Sequence, residues 1–186
     1  MVKESIEQIF AEMTALSAVI FTADFDRAAQ AIVDAPRVFT AGAGRVGALM
    51  QCVTKRLMHT RIDAYVIGET TTPPAAAGDL LLVGSGSGET ETLVVIAQKA
   101  KKLGLKIFVI TTNPASTLGQ LADSVLCIPA NAKATTDSGE GATSFQPMAN
   151  LFEQMLHICG DALCIEVANL KGMDHASMFA RHANLE

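Results

Sequence analysis

Residues 79–92 read DLLLVGSGSGETET, and the succession of residue types in them decides the fold. Four apolar residues, Leu80 to Val83, form a buried strand; Gly84-Ser85-Gly86-Ser87-Gly88 follows; from Glu89 a helix continues through Leu93, Ile96, Ala97 and Ala100. A turn of this kind attracts an anion. Its glycines let the backbone approach a ligand, the first-turn N–H groups point at it, and Ser85, Ser87 and Thr90 add hydroxyl donors. The alternative is an ordinary strand-to-helix turn capped by Ser87. Three hydroxyls and three glycines between Gly84 and Thr90 favour a phosphate. The turn has no lysine and so is not a nucleotide P-loop, which makes the expected ligand smaller than a nucleotide.

Outward from this stretch, short apolar runs alternate with helical patterns. Strands are expected at 37–41, 64–67, 80–83, 107–111 and 124–128, and helices at 46–59, 90–103 and 117–122. Such alternation means a parallel sheet covered on both faces. The expected fold is therefore α/β: a five-stranded parallel sheet sandwiched by helices, doubly wound, with ligands at the carboxyl ends of the strands near the point where strand order reverses. Two amphipathic helices, about 3–20 and 22–34, precede it, and they are expected to clasp a neighbouring subunit. Residues 130–144 are polar, small and turn-rich, either a lid or a plain connection. From Phe145 a helix runs to near Gly172 on a stripe that includes Leu151, Phe152, Met155, Leu156 and Cys159, and a short helix from Asp174 leads into the tail. The whole, 1–186, is read as one domain: N-terminal helices to 35, α/β core at 36–129, loop at 130–144, C-terminal helices and tail at 145–186.

Of the chain's 186 residues, 18% are charged and 49% hydrophobic, which leaves too little polar surface for a monomer and predicts a homo-oligomer. The longest apolar run falls short of the ~20 residues of a membrane span. A net charge of -5 with no Lys/Arg cluster argues against nucleic acid. The amphipathic, charged N-terminus lacks the pattern of a secretory signal, and Cys52, Cys127, Cys159 and Cys164 have no C-x-x-C spacing, so a cytoplasmic protein with reduced thiols is expected.

Gly42-Ala43-Gly44-Arg45-Val46-Gly47 matches G-x-G-x-x-G between a strand and a helix, and Glu69 beyond the next strand could serve as the ribose-binding acid of a dinucleotide site. Against that reading stand the second anion turn and the shortness of the chain, which leaves no separate substrate domain. Arg45 suits a fixed cation beside a sugar oxygen or phosphate. Glu153, His157 and Asp161 share one helix face, but with no second cluster to complete a coordination shell they read as an i,i+4 pairing and not as a metal site. His59, at a helix end, is expected to cap the helix or lie on the surface. His182, between Arg181 and Asn184, belongs either to a fraying end or to a functional tail.

Taken together, GAGRVG at 42, RLMHTRIDAYVIGETTTP at 56, GSGSGET at 84, TTNPASTLGQLAD at 111, SFQPMANLFEQ at 144 and RHANLE at 181 resemble the 6-phospho-3-hexuloisomerase family, a branch of the sugar isomerase (SIS) domain family. The resemblance implies a tetramer and the interconversion of D-arabino-hex-3-ulose 6-phosphate with fructose 6-phosphate, in the ribulose monophosphate pathway of formaldehyde fixation, with no cofactor and no metal. It implies that Ser85, Gly86, Ser87, Gly88 and Thr90 hold the phosphate, that Arg45 contacts the sugar, that Glu153 is the proton acceptor, and that Gly47 and Glu89 line the site. His182, with Arg45, is a candidate donor to the developing oxyanion, and the helical tail suggests that His182 serves a neighbouring subunit. The family usually has Ser where this chain has Val46, which shifts weight onto Arg45 if that hydroxyl binds ligand.

Overall fold

The computed structural model describes residues 1–20, 22–130 and 144–185. Five parallel strands, β1 (Val38–Ala41), β2 (Ala64–Val66), β3 (Leu80–Gly84), β4 (Lys106–Thr111) and β5 (Ser124–Cys127), form one sheet in the order β2-β1-β3-β4-β5. The central strands are apolar on both faces, and their alternation sorts side chains into two cores. Val38, Leu80, Leu82, Phe108 and Ile110 point into one; Phe39, Leu81, Val83, Ile107 and Val109 into the other. The first core is closed by α2 (Thr22–Asp34), α3 (Gly44–His59) and α6 (Asn150–Leu170), the second by α4 (Glu91–Lys102) and α5 (Thr117–Leu121). This is the doubly wound α/β arrangement expected from the sequence.

Helices α3 and α6 pack against each other at Gly160. A Cβ there would stand 2.4 Å from Val53 Cγ2, so a side chain at that position requires Val53 or the helices to shift. Helix α1 (Val2–Ser17) lies across α6, and α7 (His175–Phe179) follows it, started by a capping box between Asp174 and Ser177.

Several expectations need correction. Helix α2 buries Ala28, Ala29 and Ile32 in the chain's own core, whereas α1 keeps Ile6 and Phe10 exposed. Helix α6 begins at Asn150 and not at Phe145, because Pro147 disfavours helix in the residue before it and Met148 takes a left-handed φ of 56°. Helix α4 begins at Glu91, with Thr90 as its N-cap. Most of the loop expected at 130–144 lies outside the described residues. No helix among the described residues is long and apolar enough to cross a membrane.

Candidate active site

Strand order reverses between β1 and β3, whose carboxyl ends carry the two glycine turns side by side. The two turns use their glycines differently. In the first, a Cβ on Gly47 would come within 2.9 Å of the Gly42 carbonyl oxygen, and one on Gly42 within 3.0 Å of Gly47 Cα. The motif thus lets the first turn of α3 sit directly on the end of β1. Its backbone is occupied by backbone.

In the second turn the backbone is braced from behind and open in front. The Gly86 carbonyl accepts from Thr112 N (3.1 Å), Thr112 Oγ1 (2.8 Å) and Thr111 Oγ1 (3.1 Å), and the Gly88 carbonyl accepts from Leu118 N (3.0 Å). Buried Ser85 Oγ accepts from Gly88 N at 3.2 Å and lies 3.4 Å from Thr90 Oγ1. Ser87 Oγ accepts from Glu89 N at 3.2 Å and does not cap α4. Gly88 has φ +67°, and a Cβ there would fall 1.9 Å from Ser116 Oγ. Opposite this bracing, the N–H groups of Gly86, Ser87, Thr90, Glu91 and Thr92 meet no protein acceptor among the described residues. An anion with several oxygens is the complement of such a cluster.

Glu89 is engaged by α5. Its carboxylate accepts from Thr117 Oγ1 (2.7 Å) and Thr117 N (2.8 Å), and these bonds, the hydroxyl's first, hold the carboxyl below its ordinary range. It ties the turn to α5.

Gly84 fixes where the turn lies relative to the helices. A Cβ on it would meet Met50 Sδ at 2.9 Å, Leu156 Cδ1 at 3.0 Å and Val46 Cγ1 at 3.0 Å. Val46 is therefore packed toward the strand end, while Arg45 and Glu153, one residue before Val46 and one turn before Leu156, meet at the rim. Arg45 Nη1 is 2.7 Å from Glu153 Oε2 and also donates to Asn150 Oδ1. The contact with Glu153 is one of charges only: the guanidinium N–H is not aimed at Oε2, which keeps no hydrogen bond. Arg45 is 67% exposed and Glu153 12%, so the carboxylate is enclosed while its cation reaches outward. Both line a cleft of about 250 Å³ with Met13, Leu49, Gln154 and His157. Sequence reasoning missed Asn150 and Gln154, although Gln154 adjoins Glu153 and Asn150 lies one helical turn before it.

Larger clefts of about 620 and 410 Å³ lie further along α3 and α6. The first holds His182, whose ring stacks on His59 with centroids 5.7 Å apart, while Arg181 Nε donates to Met58 O at 3.0 Å. Fourteen residues of α3 separate His59 from Arg45, about 21 Å of helix axis. Within one chain His182 and Glu153 are not brought together. His59 is neither an open cap nor a surface residue: it is 4% exposed, both ring nitrogens lack a hydrogen bond, and burial, then Arg56 and Lys55, lowers its pKa. Among the described residues no group of three or more His, Cys, Asp or Glu could hold a metal, and His157 Nε2 stands 4.0 Å from Asp161 Oδ2. Burial raises the thiol pKa of Cys159 to about 11 and of Cys164 to about 12, which makes both unreactive; Cys52 is exposed.

The SIS domain model matches residues 31–158, which include both glycine turns and Glu153. The chain belongs to the SIS domain family. A protein of Bacillus subtilis (strain 168) named 3-hexulose-6-phosphate isomerase is 40% identical over 184 residues, 98% of each chain. One of the same name from Mycobacterium gastri is 46% identical over 158 residues, 85% of this SIS chain and 78% of the relative. Among solved structures, a Methanococcus jannaschii protein inferred to have the molecular function of 3-hexulose-6-phosphate isomerase superposes with a TM-score of 0.83 at 27% identity, covering 98% of this chain and 99% of that one.

Proposed function

We propose that this SIS domain, spanning residues 1–186, interconverts D-arabino-hex-3-ulose 6-phosphate and fructose 6-phosphate through a cis-enediolate, without metal or nucleotide cofactor. The observation that carries the reading is the enclosed carboxylate of Glu153 on the helix whose Leu156 packs against Gly84, the residue that leads into the turn Ser85–Thr90 with its unaccepted N–H groups. Ser85, Gly86, Ser87, Gly88 and Thr90 hold the phosphate. Gly47 and Glu89 shape the site by positioning α3 and α5, and Arg45 faces the sugar. Glu153 takes the proton from C2 and returns it at C3, one base on one face serving both carbons. The charge that develops on oxygen meets the Arg45 guanidinium. With O6 phosphorylated, a 3-ketose cannot close a furanose ring, so the hexulose enters open-chain and ring opening matters only in the reverse direction.

The proposal extends to a cytoplasmic homotetramer in the ribulose monophosphate pathway. Exposed apolar side chains on three helices, Phe10 (63%), Ile165 (64%) and Phe179 (67%), support association of copies. Because His182 lies at the far end of α3 in its own chain, it serves the site of a second copy, next to that copy's Glu153. Hexulose 6-phosphate made in place from ribulose 5-phosphate and formaldehyde should become fructose 6-phosphate when the protein is added; no conversion removes the proposal. For the shared site, inactive Glu153→Gln and His182→Ala chains refolded together should regain activity as mixed oligomers, and mixed oligomers without activity would refute it.

A further inference from the structure

Isomerisation of a hydroxyketone moves two hydrogens, one between carbons and one between oxygens. Glu153, engaged with the carbon-bound proton, leaves the oxygen-bound one without a carrier. Arg45 cannot give up a proton at usable pH, and an amide neither takes nor releases one. Among the residues lining the Glu153 cleft, only the imidazole of His157 does both.

Two polar atoms of residues lining the cleft, Gln154 Oε1 and His157 Nδ1, are buried and without hydrogen-bond partners, and Glu153 Oε2 has only its charge contact with Arg45. Leaving such atoms unpaired is unfavourable, and together they suit a ligand rich in hydroxyls. The orientation of Gln154 follows from a chain of contacts. The Glu12 carboxylate accepts from Ser144 Oγ (2.7 Å), Phe145 N (2.9 Å) and Gln146 Nε2 (2.9 Å), so Gln146 must turn its oxygen the other way, to Gln154 Nε2 at 2.8 Å. Gln154 then has its oxygen fixed as an acceptor for a hydroxyl. His157 is one turn from Glu153 on the same face of α6. Its ring is partly in solvent, its Nδ1 is enclosed, and its Nε2 faces Asp161 Oδ2 at 4.0 Å.

We infer that His157 is the second proton carrier of this site, moving the hydroxyl proton between O2 and O3 of the sugar while Glu153 moves the carbon-bound one. The inference rests on the isomerase reading above. Starting from the 3-ketose, Glu153 removes the C2 hydrogen as a proton, and the C–H electron pair becomes the C2=C3 bond. The C3 carbonyl pair moves to O3, which takes a proton from the protonated imidazole. The imidazole then removes the O2 proton, and that O–H pair closes the C2 carbonyl. The C2=C3 pair takes the proton back from Glu153 at C3. Both side chains end as they began, and no further reactant is consumed.

The test is run with fructose 6-phosphate in D2O, reading isomerisation and deuterium wash-in at C3 together. For His157→Gln, and for His157→Asn as a second variant, isomerisation should fall by at least ~100-fold, while wash-in falls far less, since Glu153 still removes and returns the carbon-bound proton. Thermal protection by inorganic phosphate shows that the variants keep the turn. Isomerisation near wild type, or both rates falling in the same proportion, overturns the inference. A wild type that neither isomerises nor exchanges overturns the isomerase reading itself, and the inference with it.

Discussion

The two glycine turns stand next to each other at one edge of the sheet and have nearly the same glycine content, yet they do different work. Gly42–Gly47 closes on itself: the first turn of α3 sits on the end of β1, with Gly42 and Gly47 too close together to admit a Cβ at either. In Gly84–Thr90 the carbonyls are held by bonds from Thr111, Thr112 and Leu118, while the N–H groups of Gly86, Ser87 and Thr90 have no protein acceptor among the described residues. A G-x-G-x-x-G pattern therefore marks close backbone approach and does not by itself say whether the approaching group is a ligand or another helix.

The largest effect expected from breaking this arrangement is at the carboxylate beside the open turn. Glu153→Gln keeps size and polarity but cannot take a proton, so kcat should drop by at least ~100-fold with KM near wild type, read in the coupled assay. A near-normal kcat would move the base elsewhere.

Next comes a direct contrast of the turns. Ser87→Ala with Thr90→Val should weaken phosphosugar binding by about 1–3 kcal/mol, measured by calorimetry, at little change in melting temperature. Gly47→Ala should show the opposite order, losing about 1–3 kcal/mol of stability because its Cβ meets the Gly42 carbonyl at 2.9 Å. If the first pair changes only stability, or Gly47→Ala only binding, the assignment of the turns is reversed.

The strands and both turns were legible because short apolar runs and glycine clustering are local signals. What escaped were features set by residues far apart. The bonds that Thr117, distant in sequence, makes to the Glu89 carboxylate could not be read from the turn itself. The start of α6 was misplaced because the local signal of Pro147 was passed over and the positive φ of Met148 has no sequence signature. Ser85, Ser87, Thr90 and Glu153 were singled out as candidates through motif and resemblance together. Asn150, Gln154 and the burial of His59 required the fold, since each depends on which helix lies opposite.

The smallest expected effect belongs to His59. Burial depresses its folded pKa, so the unfolded chain binds the extra proton more readily. The stabilising contribution is present above the unfolded value near ~6.5 and declines as pH falls from there toward the lowered folded value. Melting temperature should therefore drop on acidification through this window, and His59→Phe should flatten that limb. An unchanged slope in the variant would assign the acid sensitivity to other groups.

The most direct measurement is a crystal structure of Glu153→Gln soaked with fructose 6-phosphate. The phosphate is predicted among the N–H groups of Gly86, Ser87 and Thr90, with C2 and C3 facing residue 153. A phosphate seated instead on Gly42–Gly47, or a sugar turned away from residue 153, would contradict the division of labour between the two turns.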